Sequence, residues 1–412
     1  MKARLLIGIA ALAVMATGTT AQAEDLKIVF AEDRADHATY DPRVTQSRHE
    51  EQVIVQVFDQ LIAADNEGNF YPGLAKSWTV SDDGLSYTFQ LRDDVTFHDG
   101  TPFDAEAVKF TFDTIVDPET GSQGAVDIIG PYKSTEVLGP HEVRVNYERP
   151  YGAALGAFSE TELSIVSPTA VQEKGATGFG QSPVGTGPFK FVSWDQGKQI
   201  NLVRNDDYNW APEYMDRQGP SEVAEVIVRF VPDASTRVAA LEAGEVHITD
   251  LTPPLDMRRF SEEEGFEAIA ANVAGLPFAA MFNTSRGPFQ DIKVRQAFMH
   301  AVDRPRLAEN LFFGFADAAH GPLSAATPAY WSGVEDYYPY DPDKANALLD
   351  EAGWVMGSDG VREKDGEPLS IYFPSLLEPE TAVALQAGRQ GRLRCQRREC
   401  PEGPTGRADL RQ

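Results

Sequence analysis

Short apolar runs alternate with amphipathic stretches along most of this chain. LKIVFA at residues 26–31 is typical of a buried strand, whereas LSYTFQLR at residues 85–92 alternates apolar and polar positions, as in a half-buried strand. QVIVQVFDQLIAAD at residues 52–65 has its apolar residues at helical spacing, and DIKVRQAFMHAVDRPRL at residues 291–307 predicts one long helix that Asp291 caps. Because strands and helices are intermixed, the pattern predicts an α/β protein.

The first 23 residues have the three parts of a secretory signal. Lys2 and Arg4 precede an apolar run, and Ala21-Gln22-Ala23 forms an A-x-A cleavage pattern before Glu24. The apolar run is shorter than the roughly 20 residues that span a bilayer. No cysteine lies directly after the cleavage point, so no lipid anchor is expected. We therefore predict that residues 1–23 are a cleaved signal peptide and that the mature protein is periplasmic.

The charge of the chain limits its partners. The sequence has 36 basic and 63 acidic residues, which gives a formal net charge of −27. A field of this sign repels nucleic acids and anionic membrane surfaces, and it favours a soluble monomer.

Two short motifs suggest chemistry but are better explained as turns. Gly185-Thr186-Gly187-Pro188 lacks the Lys-Ser/Thr pair and the following helix of a phosphate-binding loop, and its glycines are expected to permit a tight turn. His98-Asp99-Gly100 lies between a predicted strand and a predicted helix, where Asp-Gly is ordinary turn sequence. No nucleophile–base arrangement can be assembled from spacing, so we predict no catalytic residues, no cofactor and no enzyme activity.

Four blocks, in order, carry a resemblance to a known family: residues 73–113 (GLAKSWTVSDDGLSYTFQLRDDVTFHDGTPFDAEAVKFTFD), 182–210 (SPVGTGPFKFVSWDQGKQINLVRNDDYNW), 281–307 (MFNTSRGPFQDIKVRQAFMHAVDRPRL) and 340–354 (YDPDKANALLDEAGW). With these blocks the chain resembles the extracytoplasmic solute-binding proteins of ABC importers, family 5. This family includes dipeptide-, oligopeptide- and nickel-binding proteins. The resemblance covers roughly residues 26–384.

The resemblance implies a type II periplasmic-binding-protein fold, a two-lobed clamshell with an extra inserted domain. Lobe I would comprise residues 24–70 and 181–269, the inserted domain residues 71–180, and lobe II residues 270–384. The lobes would close on a peptide or a similar polar solute. The protein would then deliver that solute to ABC permease subunits in the inner membrane, which work with a cytoplasmic ATPase.

Candidate ligand-binding residues follow from the same resemblance. The loop after the first strand, with Arg34, His37 and Tyr40, is the first candidate, because nickel-binding relatives carry a Tyr-x-Pro there and Tyr40-Asp41-Pro42 has this shape. Tyr40 would either face the ligand or only pack under the loop. Asp33, Asp36 and His37 could ligate a metal from this loop, but a lone histidine among acids is common on acidic surfaces. No metal site is therefore predicted.

Two further places could contact a ligand. Glu160 and Thr161 precede a strand-like stretch at residues 163–167, where some relatives carry an arginine for an anionic group. The acids in this sequence indicate a cationic ligand or simply a solvated pair of charges. Phe278 would lie at the crossing between lobes, where it would stack on a ligand or fill the hinge.

The last residues differ from the rest of the chain. The stretch ALQAGRQGRLRCQRRECPEGPTGRADLRQ holds seven arginines and both cysteines of the protein. We predict that a frameshift near Leu385 produced residues 386–412; the rival interpretation is a basic tail that docks on an acidic partner. A frameshift would leave lobe II incomplete, so that the chain folds poorly and binds ligand weakly.

Other functions stay open at this point. A secreted α/β hydrolase or metalloenzyme would need a nucleophile–base pair or a metal cluster. A receptor that reports its ligand to a sensor would share the same fold, and a truncated product would have no function. The sequence does not decide among a dipeptide, an oligopeptide, a nickel chelate, a sugar or another solute.

Overall fold

The computed structural model describes residues 26–372 and the backbone of residues 394–396. The chain divides into two compact units, Met1–Asp250 and Leu251–Gln412. The predicted signal peptide lies outside the described residues, as does the predicted aberrant tail apart from the backbone of that short segment. Within the described part of the chain, no helix is both long enough and apolar enough to cross a membrane.

Strands and helices alternate through the first unit, and they are numbered in chain order. They are β1 (Leu26–Glu32), α1 (Arg48–Val57), β2 (Ile62–Ala64), β3 (Phe70–Pro72), β4 (Ala75–Val80), β5 (Ser86–Leu91), α2 (Ala105–Ile115), α3 (Gly124–Ile129), β6 (Tyr132–Gly139), β7 (Glu142–Tyr147), α4 (Ala154–Ala157), α5 (Pro168–Gln181, interrupted at Gly175), β8 (Phe189–Asp195), β9 (Gln199–Arg204), β10 (Val223–Phe230), α6 (Ala234–Glu242) and β11 (Ile248–Thr249). The predicted α/β class is confirmed.

A five-stranded mixed sheet, in the order β11-β1-β10-β9-β8, contains the first strand of the unit. β1 is parallel to both of its neighbours, with Phe30 opposite Val228 of β10 and Ile248 of β11. β9 is antiparallel to β10 and to β8. The carboxyl ends of β1, β10 and β11 therefore meet at one edge of the sheet.

A second sheet, in the order β4-β5-β7-β6, is antiparallel throughout. Its strands alternate as the sequence predicts, and Tyr87, Phe89 and Leu91 of β5 are buried. α2 packs on this sheet, and Asp104 caps it by accepting a hydrogen bond from the backbone N–H of Ala107. This sheet comes from residues 75–147 and the five-stranded one from residues 26–32 and 189–249, but the exact domain bounds remain a prediction.

The structure corrects the first predicted helix. α1 ends at Val57, and Phe58 is already extended. Residues 62–64, which the apolar spacing places in the helix, instead pair as β2 with β3. The physical reason is that a buried apolar run such as LIAA suits either a helix or a strand. Here the hydrogen-bonded pairing with β3 makes it a strand.

Close packing against the end of α1 explains the glycine-rich turn. A Cβ at Gly185 would lie 2.2 Å from the carbonyl oxygen of Val57, and one at Gly187 would lie 2.6 Å from the carbonyl carbon of Val57. Neither glycine has a positive φ. Their role is therefore close approach of two backbone segments, not the unusual backbone angles that the sequence suggests.

The second unit carries helices and short strands. They are α7 (Pro254–Glu262), α8 (Ile292–Ala301), α9 (Arg304–Phe312), α10 (Pro342–Glu351), β12 (Val355–Met356), β13 (Arg362–Lys364), β14 (Glu367–Pro368), β15 (Ser370–Tyr372) and β16 (Arg394–Gln396). β12, β13 and β14 form one antiparallel sheet, and β15 pairs in parallel with β16. The core of the second unit lies between α8 and α10 and includes Val294, Ala297, Ala345 and Leu349.

One predicted helix in this unit is two helices. The stretch predicted at residues 291–307 breaks after Ala301, where Val302 becomes extended. Asp303 then caps α9 by accepting from the backbone N–H of Arg306. Asp303, followed by Pro305, is a helix-start signal that lies inside the apolar stripe. A new helix therefore begins there, although the apolar spacing continues.

Candidate functional site

Charged side chains gather where the parallel strands of the first unit end. Glu32 is the last residue of β1, Asp250 directly follows β11, and His49 lies in the first turn of α1. One carboxylate oxygen of Glu32, one of Asp250 and a ring nitrogen of His49 all lie within 4.8 Å of one another. We call these three residues, together with Asp33, the strand-end cluster. Ligands of open α/β sheets bind beyond the carboxyl ends of strands, so this is the candidate site of the first unit.

A buried hydrogen-bond chain runs from Glu32 through His37 to Tyr40. His37 Nε2 lies 3.0 Å from Oε1 of Glu32, and Nδ1 lies 2.9 Å from the hydroxyl of Tyr40. An ionised carboxylate can only accept, so Nε2 donates to Glu32 and the Tyr40 hydroxyl donates to Nδ1. The His37 side chain is 2% exposed and the Glu32 side chain is fully buried. These two hydrogen bonds fix the orientation of the His37 ring, which is one of the predicted ligand residues.

The Tyr40 side chain packs among other aromatic rings. It is fully buried, and its ring contacts Phe191 and Trp194 with centroids 5.5 Å and 5.0 Å away. Burial, and next the charge of Glu32, raises the pKa of Tyr40 far above its usual value. The hydroxyl therefore stays protonated and remains a donor to His37.

Arg34 and Asp33 meet His49 at the more open side of the cluster. Nε of Arg34 donates to Nδ1 of His49 over 3.2 Å, and Nε2 of His49 lies 3.1 Å from Oδ1 of Asp33. The Arg34 side chain is about half exposed (48%), while those of Asp33 and His49 are mostly covered. Of the predicted ligand residues in this loop, Arg34 is thus the one that solvent reaches.

Asp250 carries the perturbed charge of the site. Its Oδ1 accepts a hydrogen bond from the backbone N–H of Asp33 over 3.1 Å, and Nε of the buried Arg237 lies 4.0 Å away. Burial first, and then the negative charges of Asp33 and Glu32, raise the pKa of Asp250 to about 6. Asp250 therefore keeps its proton to a higher pH than an exposed aspartate does.

The loop that carries Arg34, His37 and Tyr40 is held by a second buried acid. Oε1 of Glu50, in α1, accepts from the backbone N–H groups of Ala38 and Thr39 over 2.7 Å and 3.3 Å. Glu50 is only 4% exposed. Since α1 supplies both Glu50 and His49, one helix fixes the loop and contributes to the cluster.

The metal ligands considered from one loop do not come together. Asp36 Oδ1 accepts from the indole N–H of Trp194 over 2.9 Å and from the backbone N–H of His37 over 2.9 Å. Both ring nitrogens of His37 are engaged by Glu32 and Tyr40. Asp33, Asp36 and His37 therefore have separate partners.

Glu160 and Thr161 lie at the start of a short turn. Thr161 begins a 3-10 turn, Thr161–Leu163, that contacts α1, and the residues that follow it are buried but form no strand, contrary to the prediction. Partial burial of its carboxyl, and then the charge of Glu162, raise the pKa of Glu160, although the residue as a whole is exposed. Burial first, and then the charge of Glu162 and more weakly that of Glu160, raise the pKa of Glu51 in α1.

Phe278 belongs to the second unit, where it is 72% exposed. The other predicted ligand residues belong to the first unit. Its role as a ligand contact stays a prediction, as do those of Arg34, His37, Tyr40, Glu160 and Thr161.

Sequence reasoning missed three members of the cluster. Glu32 follows the strand predicted at residues 26–31, and no pattern in the sequence singles out His49 or Asp250. A signal was present, because Glu32 and Asp250 each follow a strand that can be parallel in an α/β sheet. Which strands are neighbours could not be read from the sequence.

Known proteins match this chain over most of its length. The sequence model described as bacterial extracellular solute-binding proteins, family 5 Middle, matches residues 69–388. The glutathione-binding protein GsiB of Shigella flexneri serotype 5b is 30% identical over 319 residues, which are 77% of this chain and 60% of that protein. The chain thus spans about 60% of the length of that curated relative.

Solved structures agree in fold. NikZ of Campylobacter jejuni, in complex with Ni(L-His), matches with a TM-score of 0.75 and 29% identity, covering 92% of this chain and 75% of that one. The periplasmic binding protein DppA of Helicobacter pylori, in complex with the peptide STSA, matches with a TM-score of 0.72 and 26% identity. This match covers 90% of this chain and 73% of that one. The predicted family is therefore confirmed: this chain belongs to the bacterial extracellular solute-binding proteins, family 5.

Proposed function

We propose that this protein is the solute-binding component of an ABC importer. The observation that carries the proposal is the family match over residues 69–388. The position of the strand-end cluster supports it, because a site beyond parallel strand ends suits binding of a small solute. On this proposal the protein binds and presents a solute and catalyses no reaction.

The solute we propose is a peptide or a similar polar molecule that carries a positive charge. Glu32, Asp33 and Asp250 place three carboxyl groups at the site, and the acids at Glu160 and Glu162 add negative charge beside α1. Electrostatic complementarity favours a cationic partner for such a surface. The glutathione, Ni(L-His) and peptide ligands of the similar proteins are all small polar molecules.

The working cycle takes place outside the cytoplasm on this proposal. A signal peptide at residues 1–23 would direct export, and the mature monomer would act in the periplasm. Closure of two lobes would enclose the solute, with contacts from the loop of Arg34, His37 and Tyr40, from Glu160 and Thr161, and from Phe278. Permease subunits in the inner membrane, with their cytoplasmic ATPase, would then receive the solute.

The test is a titration of the purified full chain, freed of metal with a chelator, with di- and tripeptides of different charge. We expect saturable binding by calorimetry, tightest for peptides with an additional cationic side chain. Asp33→Asn should weaken that binding by about tenfold or more, which corresponds to 1.4 kcal/mol. Asp207→Asn is the matched control, because Asp207 has an 81% exposed side chain and lies outside the cluster.

Two results would overturn the proposal. The first is the absence of saturable binding for every peptide and polar solute in the series, with a folded protein by circular dichroism. The second is equal loss of affinity in the Asp33→Asn and Asp207→Asn variants, since that would show a general charge effect and no defined site.

A further inference from the structure

We propose that Glu32, His49 and Asp250 bind a divalent transition-metal ion directly. The inference goes beyond solute capture, because it needs only side chains of the first unit. It also departs from the sequence, which predicts no metal site. The candidate donors come from three different elements, the end of β1, the start of α1 and the residue after β11.

The spacing of the donors is close to what a metal requires. The three ligand atoms lie within 4.8 Å of one another. An ion bound at about 2.1 Å from each donor in tetrahedral geometry would hold them roughly 3.4 Å apart. The donors must therefore close by about 1 Å or a little more, a movement within the reach of side-chain torsions.

An unsatisfied carboxylate oxygen points to a ligand. Oε1 of Glu32 accepts from His37, but Oε2 is buried and has no hydrogen-bond partner. The residue is fully buried. A buried charged oxygen without a partner costs free energy, and buried charges are normally paired or coordinate metals. Because Oε1 is taken by His37, Oε2 is the oxygen left to coordinate an ion.

The hydrogen bond from His37 also orients the Glu32 carboxylate. His37 Nε2 donates to Glu32, while Tyr40 donates to the other ring nitrogen. Ligating carboxylates are usually oriented by such hydrogen bonds from outer residues. The buried chain of Tyr40, His37 and Glu32 therefore has the arrangement of an outer shell around a metal ligand.

Both ring nitrogens of His49 have charged side chains beside them. Nδ1 accepts a hydrogen bond from Nε of Arg34 over 3.2 Å, and Nε2 lies 3.1 Å from Oδ1 of Asp33. The Arg34 side chain is 48% exposed and can move into solvent. Departure of Arg34 would free Nδ1 for an ion, with Asp33 beside the opposite nitrogen, as carboxylates often are around metal-bound histidines.

The charges of the site also favour a cation. The site holds three carboxyl groups, those of Glu32, Asp33 and Asp250. Nε of Arg237 lies 4.0 Å from Asp250, and Nε of Arg34 lies 3.7 Å from Asp33. One imidazole and two carboxylates are donors that suit zinc and nickel better than calcium, which prefers oxygen ligands alone. Three protein ligands leave at least one coordination position for water or for a donor atom of a bound solute.

The experiment uses the purified full chain, stripped with EDTA and titrated with ZnCl₂ and, separately, NiCl₂ in the absence of any solute. We expect one ion per chain by calorimetry, with a dissociation constant in the micromolar range or below. X-ray absorption of the zinc-loaded protein should show nitrogen and oxygen neighbours with the scattering pattern of one imidazole.

Variants connect the ion to the cluster. His49→Ala and Asp250→Asn should each weaken zinc binding by at least about 100-fold, because even loss of an outer-shell partner costs about 10–100-fold. Glu32→Gln keeps the shape of the side chain and should have the same effect if His49→Ala does not fold. His141→Ala is the matched control, since His141 lies in the turn between β6 and β7 and should leave the affinity unchanged.

The inference is overturned if no saturable binding tighter than millimolar is found. It is also overturned if Glu32→Gln and Asp250→Asn, folded by circular dichroism, bind zinc as tightly as the unaltered chain. If only cationic peptides bind and zinc does not compete, the cluster recognises an ammonium group and the metal site is rejected. Because the titration contains no peptide, failure of the metal site leaves the proposed solute-binding function untouched, and the reverse also holds.

Discussion

A buried ion pair between Asp41 and Arg43, in the loop between β1 and α1, should be essential for the stability of the first unit. Nε and Nη2 of Arg43 donate to the two carboxylate oxygens of Asp41 over 2.9 Å and 2.6 Å. The two side chains are 3% and 2% exposed. Arg43 also donates through Nη1 to the hydroxyl of Thr114 over 2.9 Å. The pair thus ties the loop directly to α2.

Arg43→Ala should lower the free energy of unfolding by about 3–5 kcal/mol, because it leaves the Asp41 carboxylate buried without its partner. Asp41→Ala should cost a similar amount for the converse reason. The double variant should cost less than the sum of the two single changes by about 2 kcal/mol, since neither charge is then left alone. Urea denaturation followed by far-ultraviolet circular dichroism measures all four proteins.

The chain contains a matched control with the same local geometry. Arg92 binds both oxygens of Asp94, also two residues away, over 2.9 Å and 2.6 Å, but these side chains are 24% and 57% exposed. Arg92→Ala should therefore cost only about 1 kcal/mol or less. If Arg43→Ala costs no more than Arg92→Ala, or if the costs at Asp41 and Arg43 simply add, the reasoning from burial is refuted.

Two further predictions concern the turn against α1. Gly187→Ala should destabilise the protein by about 3 kcal/mol or more, because its Cβ would overlap the backbone of Val57. Gly139→Ala, where nothing lies within 4 Å of an added Cβ, should change the free energy of unfolding by less than about 0.5 kcal/mol; equal effects in urea denaturation would contradict the packing argument. His98 donates to the Gly187 carbonyl, and burial lowers the pKa of His98 to about 4 from its ordinary 6.5. The unfolded chain therefore binds this proton first, and the stability that the neutral ring contributes is lost as pH falls from 6.5 to 4, by roughly 3 kcal/mol in all. His98→Gln should show a correspondingly shallower loss of stability over that interval, and parallel pH profiles for the two proteins would disprove the assignment.

Helix starts were readable from the sequence because their causes are local. Asp291 was expected to begin a helix, and its side chain accepts from the backbone N–H group of Lys293. Asp341 caps α10 in the same way, since its side chain accepts from the backbone N–H group of Lys344. An N-cap needs only a short polar side chain two or three residues before the N–H that it satisfies. The break at Asp303 obeys the same rule, but the apolar stripe that continues through it concealed the signal.

The candidate site was only partly predictable. The loop with Arg34, His37 and Tyr40 was found, because it follows the first strand and matches a family pattern. Its partners Glu32, His49 and Asp250 were not found, and the partner of His37 decides which of its nitrogens carries the proton. Contacts between residues distant in sequence leave no periodic trace in the chain.

The sequence by itself determined the α/β class, the Asp291 cap of α8, the alternation of the strand at residues 85–92 and the family. These features follow from the spacing of neighbouring residues, where only a few side chains and their own backbone interact. The tertiary structure alone decided that β11 lies beside β1, with Ile248 opposite Phe30. That parallel pairing brings Asp250 to Glu32 and creates the strand-end cluster, because hydrogen bonding between distant strands, and no local preference, sets which residues meet at the edge of a sheet.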